Sequence, residues 1–250
     1  MRKQTIYQLN SLYRDNMKVT GYFYGKGEPA LCIMGALRGD EIQQLYICSQ
    51  LNKRLKQMER EGRICPGKEI LVIPAANLYS INVGKRFWPS DNTDINRMFP
   101  GYALGETTQR IAAGIFEPIR HYKYGIHFCS SYTKGNYLPH VRIMHTGFED
   151  ISLAWGFGLP YVIIREPKPY DTTTLNYNWQ IWETAAFSVY TGGTERIDYV
   201  SAEKGELLAE IIDPYNGEVS EEITAPKKGR IFFQRDSSLV YAGAVVFKQI

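Results

Sequence analysis

The segment Asp94-Ile95-Asn96-Arg97-Met98-Phe99-Pro100-Gly101 sets an amide beside a guanidinium. Such a pair is a fork of hydrogen-bond donors suited to a carboxylate. It follows an apolar run, Glu69 to Pro74, and closes an irregular loop, Asn77 to Gly101. Sheets of alternating strands and helices place ligands beyond the carboxyl ends of such runs. On composition alone, a surface loop whose Arg97 pairs with a nearby acid accounts for the segment equally well. Two other groupings bear on chemistry. Arg38 and Glu41 are three residues apart, a spacing that permits an ion pair on a helical turn. His127 and Cys129 are two apart, on one face of an extended strand, as two metal ligands or with Cys129 as a small core residue. The chain has no Gly-rich phosphate loop, GxSxG elbow or CxxC pair.

The elements that must position these residues alternate. Val19 to Tyr24 is β-rich, Gly25-Lys26-Gly27 turns the chain, and Ala30 to Met34 is a short apolar run. Asp40 then opens a helical pattern, with Ile42, Leu45, Tyr46, Cys48 and Leu51 at helical spacing. Glu69 to Pro74 reads as a buried parallel strand. Thr107 to Tyr122 reads as a helix, Gly125 to Cys129 and Leu159 to Ile164 as strands, Asn176 to Ala186 as a helix, and Ala186 to Thr191 as a closing strand. This predicts an α/β fold: a mostly parallel sheet with helices on both faces, over residues 1–199. From about Val200 the chain changes to short strands, Leu207 to Ile212, Gly217 to Ile223, Arg230 to Gln234 and Val240 to Val246. Residues 200–250 therefore read as a small all-β domain.

The 250 residues include 29 basic and 26 acidic side chains, interspersed, so composition makes no case for nucleic acid. No run approaches the length of a membrane span, and the N-terminus lacks the apolar core of a signal peptide. Four scattered cysteines form no disulfide framework. The expectation is a cytoplasmic protein with no membrane or nucleic-acid partner; a homo-oligomer is left open. Tyr122, Tyr124, Tyr132 and Tyr137 cluster around His127 in sequence, either lining a pocket or half-buried in packing. His121 and His145 could complete a metal site, though such histidines are more often structural; His140 and Arg142 either touch an acidic substrate or pack in the loop after Pro139.

Asp-Ile-Asn-Arg-Met-Phe-Pro-Gly resembles the DxNRxFPG signature of the succinylglutamate desuccinylase/aspartoacylase family, zinc-dependent deacylases built on the zinc-carboxypeptidase fold. Ala36-Leu37-Arg38-Gly39-Asp40-Glu41 is similar to the family's GxHGDE segment, and Gly125-Ile126-His127 followed by Leu138-Pro139-His140-Val141-Arg142 to its later ligand strand and LPHVR loop. Lys204 to Ala209 and Ile223 to Pro226 resemble its β-rich C-terminal part. The resemblance implies amide hydrolysis of N-acyl amino acids, with zinc polarising the carbonyl. It implies Glu41 and His127 as metal ligands, and Asn96 and Arg97 as the carboxylate clamp. Arg86 and Arg142 are further contacts for a small acidic substrate.

Against that pattern the chain departs at several positions. Arg38 stands where the family's first zinc-ligating His belongs, and a guanidinium has no lone pair to give a metal. It is also a cation aimed at a dication. Unit charges 4 Å apart at an effective dielectric near 20 interact by about 4 kcal/mol, and a +1/+2 pair repels by roughly twice that. Tyr190 stands where the general-base Glu belongs, and a phenol is a poor base at neutral pH. Glu195 is the nearby substitute. Gly125 replaces an Asp two residues before the His, and the stretch after Gly193 is short. Two functions remain: a metal-dependent hydrolase with a replacement ligand or base, and a non-catalytic homologue that binds a small carboxylate.

Overall fold

The computed structural model of the chain describes residues 1–11, 15–130, 139–191, 201–234 and 238–249. The β-branched and aromatic runs form β1 (Arg2–Leu9), β2 (Met17–Gly25), β3 (Glu28–Ala36), β4 (Lys68–Ala75), β5 (Tyr124–Phe128), β6 (His140–Met144), β7 (Tyr161–Arg165) and β8 (Ala185–Tyr190). They make one mixed sheet in the order β1-β2-β4-β3-β5-β8-β6-β7. The pairs β3/β4, β3/β5, β5/β8 and β6/β7 are parallel; β1/β2, β2/β4 and β6/β8 are antiparallel.

Helices cover both faces, as the continuous apolar character of the central strands requires. On one face α3 (Thr107–Ile119) and α5 (Leu175–Ile181) set Ile111, Ile115, Phe116 and Trp179 against Cys32, Met34, Leu71 and Ile73. On the other, α1 (Ile42–Arg60) sets Cys48 and Leu55 against Tyr22, Tyr24, Ile33 and Val72. Alternate residues of β3 and β4 thus enter opposite cores, the period-2 rule of an extended strand. A short helix, α4 (Ile151–Trp155), rests on β6 and β7. After residue 200, β9 (Ser201–Ala202), β10 (Leu207–Ile212), β11 (Val219–Thr224), β12 (Gly229–Gln234) and β13 (Phe247–Gln249) form a two-stranded sheet, β10-β11, and a three-stranded one, β13-β12-β9. The β10–β11 turn leans on α1, where Asn52 Nδ2 donates to the Tyr215 carbonyl at 2.7 Å. No helix among the described residues is long and apolar enough to cross a membrane.

Several boundaries differ from those the residue pattern predicts. The helix expected to reach Ala186 stops at Ile181, because Glu183 takes φ +67 and the Thr184 amide closes on the Trp179 carbonyl at 2.9 Å. That is a left-handed helix end, which glycine usually signals and glutamate does not. The helix expected to reach Tyr122 ends at Ile119. The strand expected over Val240 to Val246 is irregular, since Gly243 at φ +80 turns the chain there, and pairing resumes at Phe247. The loop Asn77 to Gly101 contains α2 (Leu78–Asn82), whose start is held by the Asn77 side chain accepting from Ser80 N at 3.1 Å. The His140 to Arg142 stretch, read as part of a loop, is strand β6.

Candidate functional site

Sheet register brings the site together. Met34 on β3 pairs with His127 on β5, His127 with Ser188 on β8, and Ser188 with Arg142 on β6. One row across the sheet therefore carries His127, Ser188 and Arg142 on the face of α3 and α5. Beyond this row lies a cavity of about 220 Å³. Among the described residues five arginines line it, Arg38, Arg86, Arg97, Arg142 and Arg165, with Asp171 as the one lining carboxylate.

Arg38 occupies the floor. It sits in the turn after β3, and its guanidinium grips both oxygens of Asp94, Nε to Oδ1 at 3.0 Å and Nη2 to Oδ2 at 2.9 Å. Its Nη1 donates to Glu41 Oε1 at 3.1 Å. Burial opposes the charge, but Glu41 and Asp94 hold the Arg38 pKa above its ordinary value. Glu41 is fully buried and saturated. Oε2 accepts from the Leu37 and Arg38 amides, each at 2.9 Å, and Oε1 also accepts from Ser130 Oγ at 2.6 Å. Asp94 further accepts from the Asn96 amide at 3.0 Å, which fixes the 3₁₀ turn Ile95–Arg97. The charge count of this cluster is thus two carboxylates to one guanidinium.

His127 is buried, with Nδ1 3.2 Å from Cys129 Sγ. Its Nε2 has no hydrogen-bond partner among the described residues. Burial first, then the Arg38 and Arg142 guanidiniums, lower its pKa to about 3, so the ring is neutral at physiological pH. Burial pushes the Cys129 thiol up to about 12, so it is a protonated neighbour and not a thiolate ligand. The Tyr190 phenol is also pushed up by burial. Arg142 donates to its oxygen, and its ring stacks on His140 at 4.6 Å. The phenol is therefore protonated at neutral pH.

The expected carboxylate clamp lines the cavity but has internal partners. Asn96 Oδ1 accepts from the Leu175 amide at 3.0 Å and so starts α5. Arg97 donates to the Tyr170 carbonyl at 2.6 Å and lies 3.8 Å from Asp171, which Arg165 also contacts. The pairing of Arg97 with an acid, open in the sequence, is therefore present together with the pocket position. Arg86 lines the cavity and donates to Asp40 at 2.6 Å. Gly125 is required by packing: a Cβ there would lie 2.7 Å from the Trp179 ring. Glu195, Gly193, Tyr132, Tyr137 and Leu138 lie outside the described residues.

The remaining candidates fall elsewhere. Tyr122 turns away and donates to Glu69 at 2.8 Å, and Tyr124 does not line the cavity. His121 accepts from Arg120 at 3.3 Å and His145 contacts Glu149, both away from the cavity. Residue patterns missed Ser130, Arg165, Tyr170, Asp171, Asn176 and Ser188, which line the cavity from loops, strands and the start of α5 without a motif of their own. Asp94 was visible inside its motif, but nothing local marked it as the partner of Arg38.

A zinc site needs three protein ligands around an open position. Among the described residues, no three His, Cys, Asp or Glu side chains come together to hold a metal. Glu41 has both oxygens occupied, and the Arg38 guanidinium lies against it. Of the expected ligands only His127 Nε2 presents a lone, unpartnered atom. The described residues do not fit a zinc ion.

The catalytic-domain model of the succinylglutamate desuccinylase/aspartoacylase family matches residues 27–211. An N-alpha-acetyl-L-2,4-diaminobutyric acid deacetylase from Halomonas elongata is 32% identical over 88 residues, covering 35% of this chain and 24% of that protein. The chain thus aligns with about a quarter of that curated relative's length. A succinylglutamate desuccinylase from Silicibacter sp. TM1040 superposes with TM-score 0.62 at 14% identity, over 99% of this chain and 92% of that one. An aspartoacylase family protein from Mesorhizobium loti superposes with TM-score 0.59 at 17% identity, over 94% and 89%. At such identities the superpositions speak for the fold alone.

Proposed function

The chain belongs to the succinylglutamate desuccinylase/aspartoacylase family, and within it we propose a member that binds a small carboxylate, such as an N-acyl amino acid, without metal-dependent hydrolysis. The observation that carries this reading is Arg38, buried on Asp94 and Glu41 in the place of a first metal ligand. A fixed guanidinium there supplies a cation that cannot polarise a carbonyl as a Lewis acid or deliver hydroxide. Tyr190 supports the same reading, because burial keeps its phenol protonated at the position where the resemblance implies a general base. What the pocket retains is positive lining. Arg142, Arg165, Arg97 and Arg86 face a space sized for a small anion, and the Arg142 and Arg165 Nε atoms have no hydrogen-bond partner among the described residues. Free thiols at Cys32, Cys48, Cys65 and Cys129 are consistent with the cytoplasm as its place of work.

One observation favours the alternative, a retained metal hydrolase: His127 Nε2 is a buried ligand atom without a partner. The deciding experiment measures metal content after expression with zinc, then titrates a panel of N-acyl amino acids by calorimetry while following amine release. Binding without turnover, with substoichiometric zinc and affinity lost in Arg142→Ala, is the expected result. Near-stoichiometric zinc with hydrolysis abolished by Glu41→Ala or His127→Ala would establish the hydrolase instead.

A further inference from the structure

The two edges of the eight-stranded sheet are built differently. β1 carries Arg2, Lys3, Gln4 and Gln8 and is broken by a bulge between Thr5 and Tyr7. Charge and a bulge are the usual protection of an unpaired edge. β7 has neither. Its sequence is Tyr-Val-Ile-Ile-Arg, its inner edge pairs in register with β6, and no described residue pairs with its outer edge. Tyr161, Ile163 and Ile164 are 50%, 42% and 43% exposed, so apolar side chains stand open on both faces of this strand.

Helix α4 extends the patch. Leu153 lines a groove over β5 and β8 with Phe157 and Phe187. Trp155, two residues on, is set roughly 200° around the helix from it at 3.6 residues per turn. It is 55% exposed, and Ile151 and Phe148 beside it are exposed as well. Six half-exposed side chains offer roughly 500–600 Å² of contact per copy, from the 150–250 Å² that a large side chain buries in full. Ile164 stands on the α4 face and Tyr161 and Ile163 on the cavity face, so this edge is apolar on both sides.

We propose that the β7 edge and α4 form a two-fold interface with a second copy of this chain, β7 pairing antiparallel with its own mate about Ile163. The strand is self-complementary in this register. Val162 lies opposite Ile164 of the second copy, and Tyr161 lies opposite Arg165, whose guanidinium stays turned to Asp171 in its own cavity. A register centred on Arg165 would oppose two like charges. Pro160 and Pro167 bound the stretch, since neither has an amide to give the ladder. The α4 helices, each above its own β6 and β7, meet across the axis and bring Trp155 and Ile151 together with their mates. Side-chain area and the joined strand backbones together approach the ~800 Å² per partner of a standard interface. A symmetric pair uses one patch twice and closes, so the edge is consumed without growing a fibre.

Light scattering on the intact protein across low- to high-micromolar concentrations tests this. The expected result is a dimer, with dissociation constants raised at least tenfold by Ile163→Lys and by Trp155→Glu. Both positions are exposed, so melting temperatures measured on the dissociated variants report whether they fold. The register has its own test in a Cys65→Ser background under oxidant. Ile163→Cys brings two α-carbons to about 4.5–5.5 Å across the axis, within disulfide reach. Tyr161→Cys leaves them about 14 Å apart at 3.3–3.4 Å per residue. Covalent dimer from the first and not the second is expected. A monomer throughout the concentration range, a dimer indifferent to both charge substitutions, or cross-linking at 161 and not at 163 overturns the proposal.

Discussion

Replacing Arg38 by methionine keeps most of the side-chain volume and removes the charge on which Glu41 and Asp94 converge. Their side chains are 0% and 13% exposed, and that of Arg38 is 7%, so solvent cannot screen what is left. Breaking a buried ion pair from one side costs about 3–5 kcal/mol, because the stranded charge keeps its desolvation penalty. Glu41 keeps the Leu37 and Arg38 amides and Ser130, which holds the estimate to the lower half of that range. For a chain of this size each kcal/mol moves the melting temperature by about 2–4 °C, so Arg38→Met should melt roughly 6–16 °C lower. Adding Glu41→Gln and Asp94→Asn removes the stranded charges and should return more than half of the loss, a non-additivity diagnostic of a shared network. Arg38→His makes the complementary case. It supplies a third ligand type beside Glu41 and His127, and a ligand at a thousand times its dissociation constant stabilises by about 4 kcal/mol. Zinc should therefore raise the melting temperature of Arg38→His by roughly 8–16 °C and leave the natural chain unmoved. The assay is thermal denaturation by circular dichroism, with and without zinc. Arg38→Met within 1 kcal/mol of the natural chain, or equal zinc stabilisation of both proteins, would refute the assignment of Arg38 as the resident cation.

Three further outcomes follow from packing and charge. Gly125→Asp restores the family's acid but drives a Cβ into the Trp179 ring; overpacking should cost about 1–3 kcal/mol, seen as a lower melting temperature that Trp179→Ala does not add to in full. Asp171→Asn deprives Arg97 and Arg165 of their shared carboxylate and leaves the cavity one charge more positive; calorimetry should show carboxylate affinity rising about three- to tenfold at low salt, with a steeper salt dependence. Glu183→Gly relieves the left-handed backbone at φ +67 and should stabilise by about 0.5–1 kcal/mol in denaturant titration, with the slope unchanged.

The local conformational signals in this chain are short-ranged, and they were legible to that extent. Alternating apolar periodicity specified an α/β sheet with helices on both faces, because burial of a strand or helix face imposes its own period on the residues. Boundaries failed where a backbone conformation carried no residue signature, as at Glu183, or where a run of apolar residues hid a glycine turn, as at Gly243. Asn96, Arg97, Arg86, Arg142, Glu41, His127 and Tyr190 were all visible as types in a pattern. Each described one lines or abuts the same cavity.

The sequence by itself determined that an arginine stands at position 38 and a tyrosine at 190, where the family resemblance implies a zinc ligand and a general base. Tertiary structure alone decided what those residues do instead. Asp94 is 56 positions from Arg38, and Asp171 is 74 from Arg97; no periodicity spans such gaps. The pairings arise when the sheet, parallel at β5/β8 and antiparallel at β6/β8, aligns His127, Ser188 and Arg142 in one row and buries the surrounding charges. In water each arginine would be satisfied by solvent, and it is burial that makes one particular carboxylate its partner.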